Sequence, residues 1–276
     1  MANTRAQIQE EKQAVKDFWN DASCGEILYL KGETEIDSYN NQLKIRYELE
    51  PFIIPFAEFT KQRGKKMLEI GVGLGADHQM FAMNGANLHG IDLTERAIER
   101  TRTRLELLGL KSQLQVGDAE NLPFKDEEFD FVYSWGVIHH SPNTPRAVEE
   151  IHRVLRKNGQ ARVMIYHTYS MIGYMLWVRY ALMKLRPFTS LATLYSKYLE
   201  SPGTKAYTVK EAAKMFHMFQ DVKIDTVLTH GDLLTSQAGQ RHQGPLLDLA
   251  RKLVPRGLVR RLLPKHGLFM LIRLVK

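Results

Sequence analysis

The sequence has little cysteine and no long apolar run, and both absences narrow the class of protein. Cys24 is the only cysteine among 276 residues, so an internal disulfide and a zinc site built on several thiolates are excluded. A single thiol fits a reducing compartment, and we expect a cytoplasmic protein. The most apolar stretch, residues 170–183, is shorter than the about 20 residues that span a bilayer, and Arg179 interrupts it. The polar first residues, MANTRAQIQ, do not predict a signal peptide.

Acidic residues are too few to balance the basic ones. The net charge is +7 and the isoelectric point is about 9.3, which leaves nucleic acid, anionic membranes and anionic substrates open as partners. Residues 251–265 contain six cations and no acid, and leucines and valines alternate with the cations over 246–265. This segment predicts either an amphipathic helix in peripheral contact with a membrane or a solvated helix that packs one face on the domain.

Short apolar stretches alternate with helical patterns in the middle of the chain. We predict strands at residues 66–70, 86–91, 114–116, 129–134 and 162–166, with helices at 94–108 and 145–157. A further helix near 208–219 and strands at 222–229 and 268–275 follow. Such alternation predicts an α/β protein with a Rossmann-like, seven-stranded, mostly parallel sheet and helices on both faces.

The flanking regions break this alternation and predict additions to the sheet domain. Residues 1–60 have helical patterns and are expected to form an N-terminal cap, and residues 61–276 are expected to form the main domain. Insertions are predicted at 168–205 and 231–266. The first insertion is rich in apolar and aromatic residues, which favours a lid over a ligand site.

Three glycines follow the first predicted strand in the stretch MLEIGVGLGAD. A turn with Gly71, Gly73 and Gly75 lets the backbone approach a ligand and adopt positive φ angles. Two acids follow the next two strands: Asp92, 21 residues after Gly71, and Asp118. A carboxylate at the end of the second strand can accept hydrogen bonds from ribose hydroxyls. Gly71, Gly73 and Ala76 also satisfy a dinucleotide-binding pattern, so an NAD-dependent oxidoreductase remains an alternative.

Five ordered stretches together are more specific than the glycines alone. They are LEIGVGLG (68–75), GIDLT (90–94), GDAENLPF (117–124), FDFVYSWGVIHH (129–140) and HRVLRKNGQ (152–160). In these stretches the sequence resembles the class I S-adenosylmethionine-dependent methyltransferases, of the type 11-like, small-molecule kind. The resemblance covers roughly residues 65–167 and implies S-adenosyl-L-methionine as cofactor and S-adenosyl-L-homocysteine as product.

The resemblance also implies roles for individual residues. Glu69 and the glycine-loop backbone would hold the methionine portion, Asp92 the ribose, and Asp118 the adenine amino group. The cofactor-binding residues implied are Glu69, Gly71, Gly73, Gly75, Asp92, Leu93, Asp118, Ala119, Glu120, Ser134, Trp135, Gly136 and His139.

Methyl transfer needs a general base only when the acceptor is protonated at the working pH. Candidates are His139 and His140 after the fourth strand and His167 after the fifth, because imidazole titrates near neutrality. Of the adjacent pair we expect His139 to be closer to the methyl group and His140 to anchor the loop. A metal site is not expected, because adjacent extended residues point to opposite sides and no carboxylate cluster completes a ligand set.

The aromatic residues of the cap and the lid favour a small or medium organic acceptor, aromatic or lipid-like, in an apolar pocket. The candidate substrate-binding residues are Phe18, Trp19, Tyr29, Tyr39, Tyr166 and Tyr174. An RNA methyltransferase is an alternative, although residues 134–137 read SWGV where base-methylating relatives carry a sequence such as NPPY, which argues against nucleic acid. A non-catalytic S-adenosylmethionine-binding protein is the remaining alternative. Nothing in the sequence indicates the oligomeric state.

Overall fold

The computed structural model describes residues 5–235, 251–252 and 255–276, and its centre is one mixed β-sheet. In these residues the sheet has seven strands in the order β3-β2-β1-β4-β5-β7-β6. The strands β1 to β5 run parallel, whereas β7 is antiparallel to both β5 and β6. The predicted α/β fold is therefore confirmed. The strands are β1 Lys66–Ile70, β2 Asn87–Asp92, β3 Gln113–Val116, β4 Phe129–Trp135, β5 Leu155–Tyr166, β6 Asp221–Val227 and β7 Phe269–Val275.

Helices precede the sheet and cover both of its faces. From residue 5 onward, four α-helices and a 3-10 helix at Phe59–Gln62 come before β1, which agrees with the helical pattern of the first 60 residues. The α-helices are α1 Arg5–Asp21, α2 Glu26–Tyr29, α3 Glu35–Leu49 and α4 Ile53–Ala57. The others are α5 Ala76–Met83, α6 Glu95–Leu107, α7 Thr144–Val154, α8 Met171–Tyr180, α9 Leu191–Tyr198, α10 Val209–Met215 and α11 Arg256–Leu262.

Two neighbouring residues of the central strand β4 pack in different cores, because successive side chains of a strand point to opposite faces of the sheet. Val132 packs in a cluster that includes Ile151 of α7 and Ala212 of α10. Phe131 packs in the cluster on the other face, which includes Phe81 of α5. Because both faces of β4 are covered, the strand reads as a continuous apolar run in the sequence.

The junction between α7 and β5 differs from the predicted one. The helix ends at Val154, three residues before the predicted end, and β5 begins at once with Leu155 paired to Phe129. The register then shifts before Gln160 pairs with Phe131. Asn158 lies in this irregular stretch with a φ of 62°, in the left-handed region. Helical periodicity could not reveal this bulge, because it depends on pairing with β4.

A buried arginine joins the N-terminal helices to the sheet domain. Arg104 of α6 is fully buried. Its guanidinium donates to the carbonyl of Tyr39 and the side chain of Gln42, both in α3, at 3.1 and 2.7 Å. It also donates to the carbonyl of Leu74 in the glycine loop, at 2.9 Å, and to Gln79 of α5, at 2.6 Å. Burial lowers the pKa of Arg104 to about 10.

Candidate functional site

A cleft of about 950 Å³, including its open mouth, lies at the carboxyl ends of the parallel strands. Strand order reverses here, since β1 lies between β2 and β4, and loops at such a point diverge to leave a crevice. Eight of the thirteen predicted cofactor-binding residues line it: Gly71, Gly73, Asp92, Leu93, Asp118, Ala119, Trp135 and Gly136.

The three loop glycines have positive φ angles but different surroundings. A Cβ atom on Gly71, whose φ is 82°, would lie 2.0 Å from Cγ2 of Val137. A Cβ on Gly75, whose φ is 75°, would lie 2.9 Å from Thr101. Gly73, with a φ of 52°, has no heavy atom within 4 Å of its Cβ position. The space beside Gly73 therefore belongs to the cleft and fits a ligand held against the backbone.

Asp92 ends β2 and contacts two neighbouring segments. Its Oδ1 accepts hydrogen bonds from the backbone N–H and the hydroxyl of Thr94, at 3.0 and 2.9 Å, and its Oδ2 accepts from the N–H of Gly73 at 3.2 Å. Burial raises the pKa of Asp92. The carboxylate thus links the glycine loop to the start of α6 and also lines the cleft.

A lysine from the N-terminal helix reaches the acids that follow β3. Nζ of Lys12 lies 2.6 Å from a carboxylate oxygen of Asp118 and 2.6 Å from one of Glu120. Burial alone would lower the pKa of Lys12, but the hydrogen bonds to the two acids raise it. Lys12 lines the cleft, and the sequence contains no signal that pairs it with Asp118, 106 residues away. Glu120 is buried and does not line the cleft; it accepts from the N–H of Asn143 at 2.7 Å.

Glu69 is buried at the end of β1 and contacts α5, and it is not among the residues lining the cleft. One carboxyl oxygen lies 2.8 Å from Nδ1 of His78, whose Nε2 lies 2.8 Å from the hydroxyl of Ser112. Burial raises the pKa of Glu69 and lowers that of His78 to about 3. Both shifts favour the uncharged forms of the two groups. Ser134 is also buried, and its hydroxyl has no partner among the described residues.

An ion pair from α3 lies behind the cleft wall. Arg46 contacts both oxygens of Asp77, at 2.9 and 2.5 Å, and its guanidinium lies 5.7 Å from the ring centre of Trp135. The hydroxyls of Tyr47 and Tyr133 donate to the same carboxylate, each at 2.9 Å. Burial would raise the pKa of Asp77, but these partners, Arg46 first, lower it. This network fixes α3 beside Trp135, which lines the cleft.

Of the adjacent histidines, His140 lines the cleft and His139 does not. Nδ1 of His140 lies 2.8 Å from the hydroxyl of Ser201, and Nε2 lies 3.4 Å from a carboxylate oxygen of Glu200. The hydroxyl of Tyr166 donates to the same oxygen of Glu200 at 2.8 Å. The lid thus brings a carboxylate to the histidine, which the sequence did not reveal.

Neither His139 nor His167 lines the cleft, and both are buried. His139 is fully buried, and neither ring nitrogen has a hydrogen-bond partner in the part of the chain that the structure describes. Its ring centre lies 4.0 Å from that of Tyr166, and burial keeps its pKa well below the ordinary value. His167 is buried with Nδ1 3.3 Å from the carbonyl of Gly267, and it does not line the cleft. The order of the pair relative to the cleft is the reverse of our expectation.

Comparison with known proteins identifies the centre of the chain. A family model described as a methyltransferase domain matches residues 68–163, which contain the glycine loop, Asp92, Asp118 and the histidine pair. Residues 68–163 carry a methyltransferase domain. The resemblance seen in the sequence is thereby confirmed for these residues.

Curated relatives match this methyltransferase domain over part of their length. The phthiotriol/phenolphthiotriol dimycocerosates methyltransferase of Mycobacterium leprae is 41% identical over 98 residues, which are 35% of this chain and 36% of the relative. The phosphatidylethanolamine N-methyltransferase of Cereibacter sphaeroides is 34% identical over 110 residues, 39% of this chain and 54% of the relative. The chain therefore matches about a third to a half of the length of these relatives.

Solved structures share the fold of the methyltransferase domain. The structure of SAM-dependent methyltransferases from Methanosarcina mazei has a TM-score of 0.53 and 17% identity. The match covers 80% of this chain and 97% of that one. At this identity the likeness concerns the fold alone.

The six aromatic residues proposed to bind the acceptor occupy different places around the methyltransferase domain. Trp19 lines the cleft, with Phe18 packed edge-on against it at 4.9 Å. Tyr166 is buried beside His139. Tyr39 is buried and donates to the carbonyl of Arg100 at 3.1 Å, so its contacts are those of a structural residue.

The remaining two aromatic residues do not line the cleft. The hydroxyl of Tyr174 lies 2.7 Å from Nδ1 of His266. Tyr29 is half-buried in α2, and its carbonyl lies 3.4 Å from the amide nitrogen of Asn41. Tyr174 therefore connects the two predicted insertions, and Tyr29 connects α2 to α3 within the N-terminal helices.

The histidine pair and Glu200 form a group that could hold a metal ion. Their nearest ligand atoms lie within 4.8 Å of one another, and no other such group occurs in residues 5–235, 251–252 and 255–276. The sequence predicts no metal because it shows no carboxylate near the pair, yet Glu200 supplies one. The absence of a metal therefore stays a prediction.

Membrane contact through residues 246–265 also stays a prediction. Residues 246–250 and 253–254 lie outside the described residues. In α11, Val259 is buried whereas Leu258 and Leu262 are exposed, so the helix packs one face on the domain. Within the described residues, no helix combines the length and the apolar character needed to cross a membrane.

Proposed function

We propose that this protein transfers a methyl group from S-adenosylmethionine to a small or medium organic acceptor. The observation that carries the proposal is the convergence of Asp92, Asp118 and the open backbone at Gly73 on one cleft. When bound, S-adenosylmethionine would supply an activated methyl group on its sulfonium, so the protein has mainly to align the acceptor and exclude water. The domain match over residues 68–163 supports this assignment.

The cofactor would fit residues that the cleft presents. Asp92 would accept from the ribose hydroxyls, and Asp118 would accept from the adenine amino group in competition with Lys12. The N–H of Ala119 would donate to the adenine ring. The backbone at Gly73 would approach the methionine portion, where the structure leaves space. Glu69 would act through the loop, because its carboxyl contacts His78.

The N-terminal helices would keep water from the reacting atoms. Val15 and Trp19 of α1 line the cleft, as does Trp135 of β4. The ring centres of Trp19 and His140 lie 5.3 Å apart, and we place the acceptor beside this histidine. A general base there would work only for an acceptor whose nucleophile carries a proton.

His140 is the candidate base because it lines the cleft and its ring is oriented by Ser201. With the Nδ1 proton donated to Ser201, Nε2 would be the basic nitrogen. Nε2 is buried and has no hydrogen-bond partner among the described residues, so a bound acceptor would have to displace part of the lining to deliver its proton there. Glu200, 3.4 Å away, would stabilise the resulting imidazolium. His139 would support this ring by packing, at 4.2 Å between centres.

A lipid-like acceptor is the finer part of the proposal. The relatives from Mycobacterium leprae and Cereibacter sphaeroides carry lipid substrates in their names. The apolar and aromatic lining of this cleft agrees with such an acceptor. The atom methylated is left open.

The experiment measures S-adenosylhomocysteine formed from S-adenosylmethionine with phosphatidylethanolamine, long-chain alcohols and phenols as acceptors. Replacing His140 by Ala is expected to lower kcat by about 100-fold or more with a protonated acceptor. The control is His217→Ala, at an exposed position just after α10, which should leave kcat unchanged. Binding without turnover of any acceptor would favour the non-catalytic alternative. Steeply salt-dependent RNA binding would favour an RNA methyltransferase, and binding of NAD instead would favour an oxidoreductase.

A further inference from the structure

The segment between α8 and α9 exposes a group of large apolar side chains. Every residue from 182 to 188 is exposed. Phe188 is 99% exposed, Leu185 is 90% exposed and Met183 is 58% exposed. Single exposed apolar residues are ordinary, but a contiguous group marks an interaction site. We call residues 182–188 the lid tip.

The lid tip is held in place by contacts at its base. The indole N–H of Trp177 donates to the carbonyl of Pro187 at 3.2 Å. Tyr180 of α8 and Tyr198 of α9 stack with ring centres 4.0 Å apart and planes 2° apart. Leu185 has a φ of 56°, and its N–H donates to the carbonyl of Leu182 at 3.0 Å. These contacts present Leu185 and Phe188 outward.

The charged side chains of the segment that carries the lid tip all have one sign. Residues 168–199 contain no Asp or Glu, and they include the cations Arg179, Lys184, Arg186 and Lys197. Lys184 and Arg186 flank Leu185 in sequence, and both are exposed. Exposed apolar side chains with adjacent cations are the combination that an anionic membrane surface attracts, since the apolar groups enter the interface and the cations meet anionic headgroups.

We propose that the lid tip docks on an anionic lipid bilayer. A second copy of the chain is a poorer partner for the same surface. A twofold contact would bring Lys184 and Arg186 near their own copies with no acid in the segment to compensate. A bilayer rich in anionic lipid satisfies both the apolar and the charged groups.

The position of the lid tip connects docking to the cleft. The helix α8 begins five residues after β5 ends, and its ten residues are about 15 Å long. The chain then returns through α9 to Glu200, which contacts Tyr166 and His140. Docking would therefore bring the lipid surface close to the end of the sheet where the cleft lies, because α8 and a short connection are all that separates the lid tip from the end of β5. The docking surface stands on its own observations, whereas its use in delivering a lipid acceptor rests on the proposed function.

The test is co-sedimentation of the full chain with vesicles of phosphatidylcholine alone or mixed with phosphatidylglycerol. We expect binding to the mixed vesicles and about tenfold or greater loss of partitioning in the double variant Leu185→Ser, Phe188→Ser. In the double variant Lys184→Gln, Arg186→Gln, partitioning to the mixed vesicles should fall about fivefold for each charge removed. The matched control is Met83→Ser, which alters an apolar side chain that is 59% exposed at the end of α5.

Several outcomes would overturn the docking proposal. They are absence of vesicle binding by the parent protein, equal partitioning of the parent and the Leu185/Phe188 variant, and equal loss in the Met83 control. A dimer of the parent that the Leu185/Phe188 variant abolishes in analytical ultracentrifugation, without vesicle binding, would assign the tip to a second copy. Calorimetry with S-adenosylhomocysteine and the methyl-transfer assay with phenols in solution separate the two proposals. A docking failure leaves both cofactor binding and this turnover intact, whereas failure of the proposed function removes the turnover.

Discussion

Replacing Gly73 by Ala separates the ligand-binding role of the glycine loop from its backbone strain. The φ of Gly73 is 52°, in the left-handed region, where a Cβ costs about 1–2 kcal/mol. Nothing lies within 4 Å of the new Cβ, so no overpacking adds to that cost. For a domain of this size, about 1 kcal/mol corresponds to a fall in Tm of about 2–4 °C. Gly109, with a φ of 64° and equally open surroundings, is the matched control, since it closes α6 and does not line the cleft.

The two variants should differ in ligand binding rather than in stability. The methyl group at residue 73 enters space that the cofactor would occupy, and overpacking of this kind costs about 1–3 kcal/mol. Affinity for S-adenosylhomocysteine should therefore fall by about 10- to 100-fold in Gly73→Ala and stay unchanged in Gly109→Ala. Thermal unfolding and calorimetry measure the two effects. Parent-like affinity in Gly73→Ala, or an equal loss in both variants, would refute the assignment of this space to the cofactor.

Three further substitutions test the interactions around the cleft. Lys12→Met should lower the free energy of unfolding by about 1–2 kcal/mol in urea, because it leaves two acids without their shared cation; an unchanged midpoint would contradict this. Arg104→Met should cost about 3 kcal/mol or more because four acceptors lose their donor, while the exposed Arg102→Met, on the same helix, should change stability by less than about 0.5 kcal/mol. Burial raises the pKa of Glu50 from 4.5 to about 7, so its contribution to stability is present at low pH and decreases as the pH rises from 4.5 to 7. In Glu50→Gln this decrease should be absent, and parallel pH profiles of urea midpoints would disprove the effect.

Much of the central fold could be predicted from local sequence patterns. Residues 66–70 were predicted as a strand and form β1. An apolar run this short, between a basic turn and a glycine loop, is typical of a buried strand. The predicted strand at 86–91 is shifted by one residue from β2. The loop glycines and Asp92 share the cleft because the carboxyl ends of neighbouring parallel strands meet at one edge of the sheet.

Contacts between distant segments could not be predicted in the same way. Lys12 resembles any other cation on an exposed helix until α1 lies over the acid that follows β3. Glu200 is the only acid of the lid at residues 168–205, and nothing in that segment pairs it with His140. The two residues meet because the chain returns through α9 to the cleft. From the sequence, Arg104 would be predicted as a solvated helix residue. Its burial depends on acceptors from α3, α5 and the glycine loop. In each case the deciding partner is set by tertiary packing.

Calorimetry of S-adenosylhomocysteine with the parent protein and Asp92→Asn tests the central claim most directly. An asparagine can still accept from Thr94, the N-cap residue of α6, but it loses the charge that would bind the ribose hydroxyls. We predict one binding site per chain in the parent and about tenfold or greater weakening in the variant, with Glu95→Gln, in the first turn of α6, unaffected. No binding by the parent, or equal affinities in the parent and Asp92→Asn, would contradict the account.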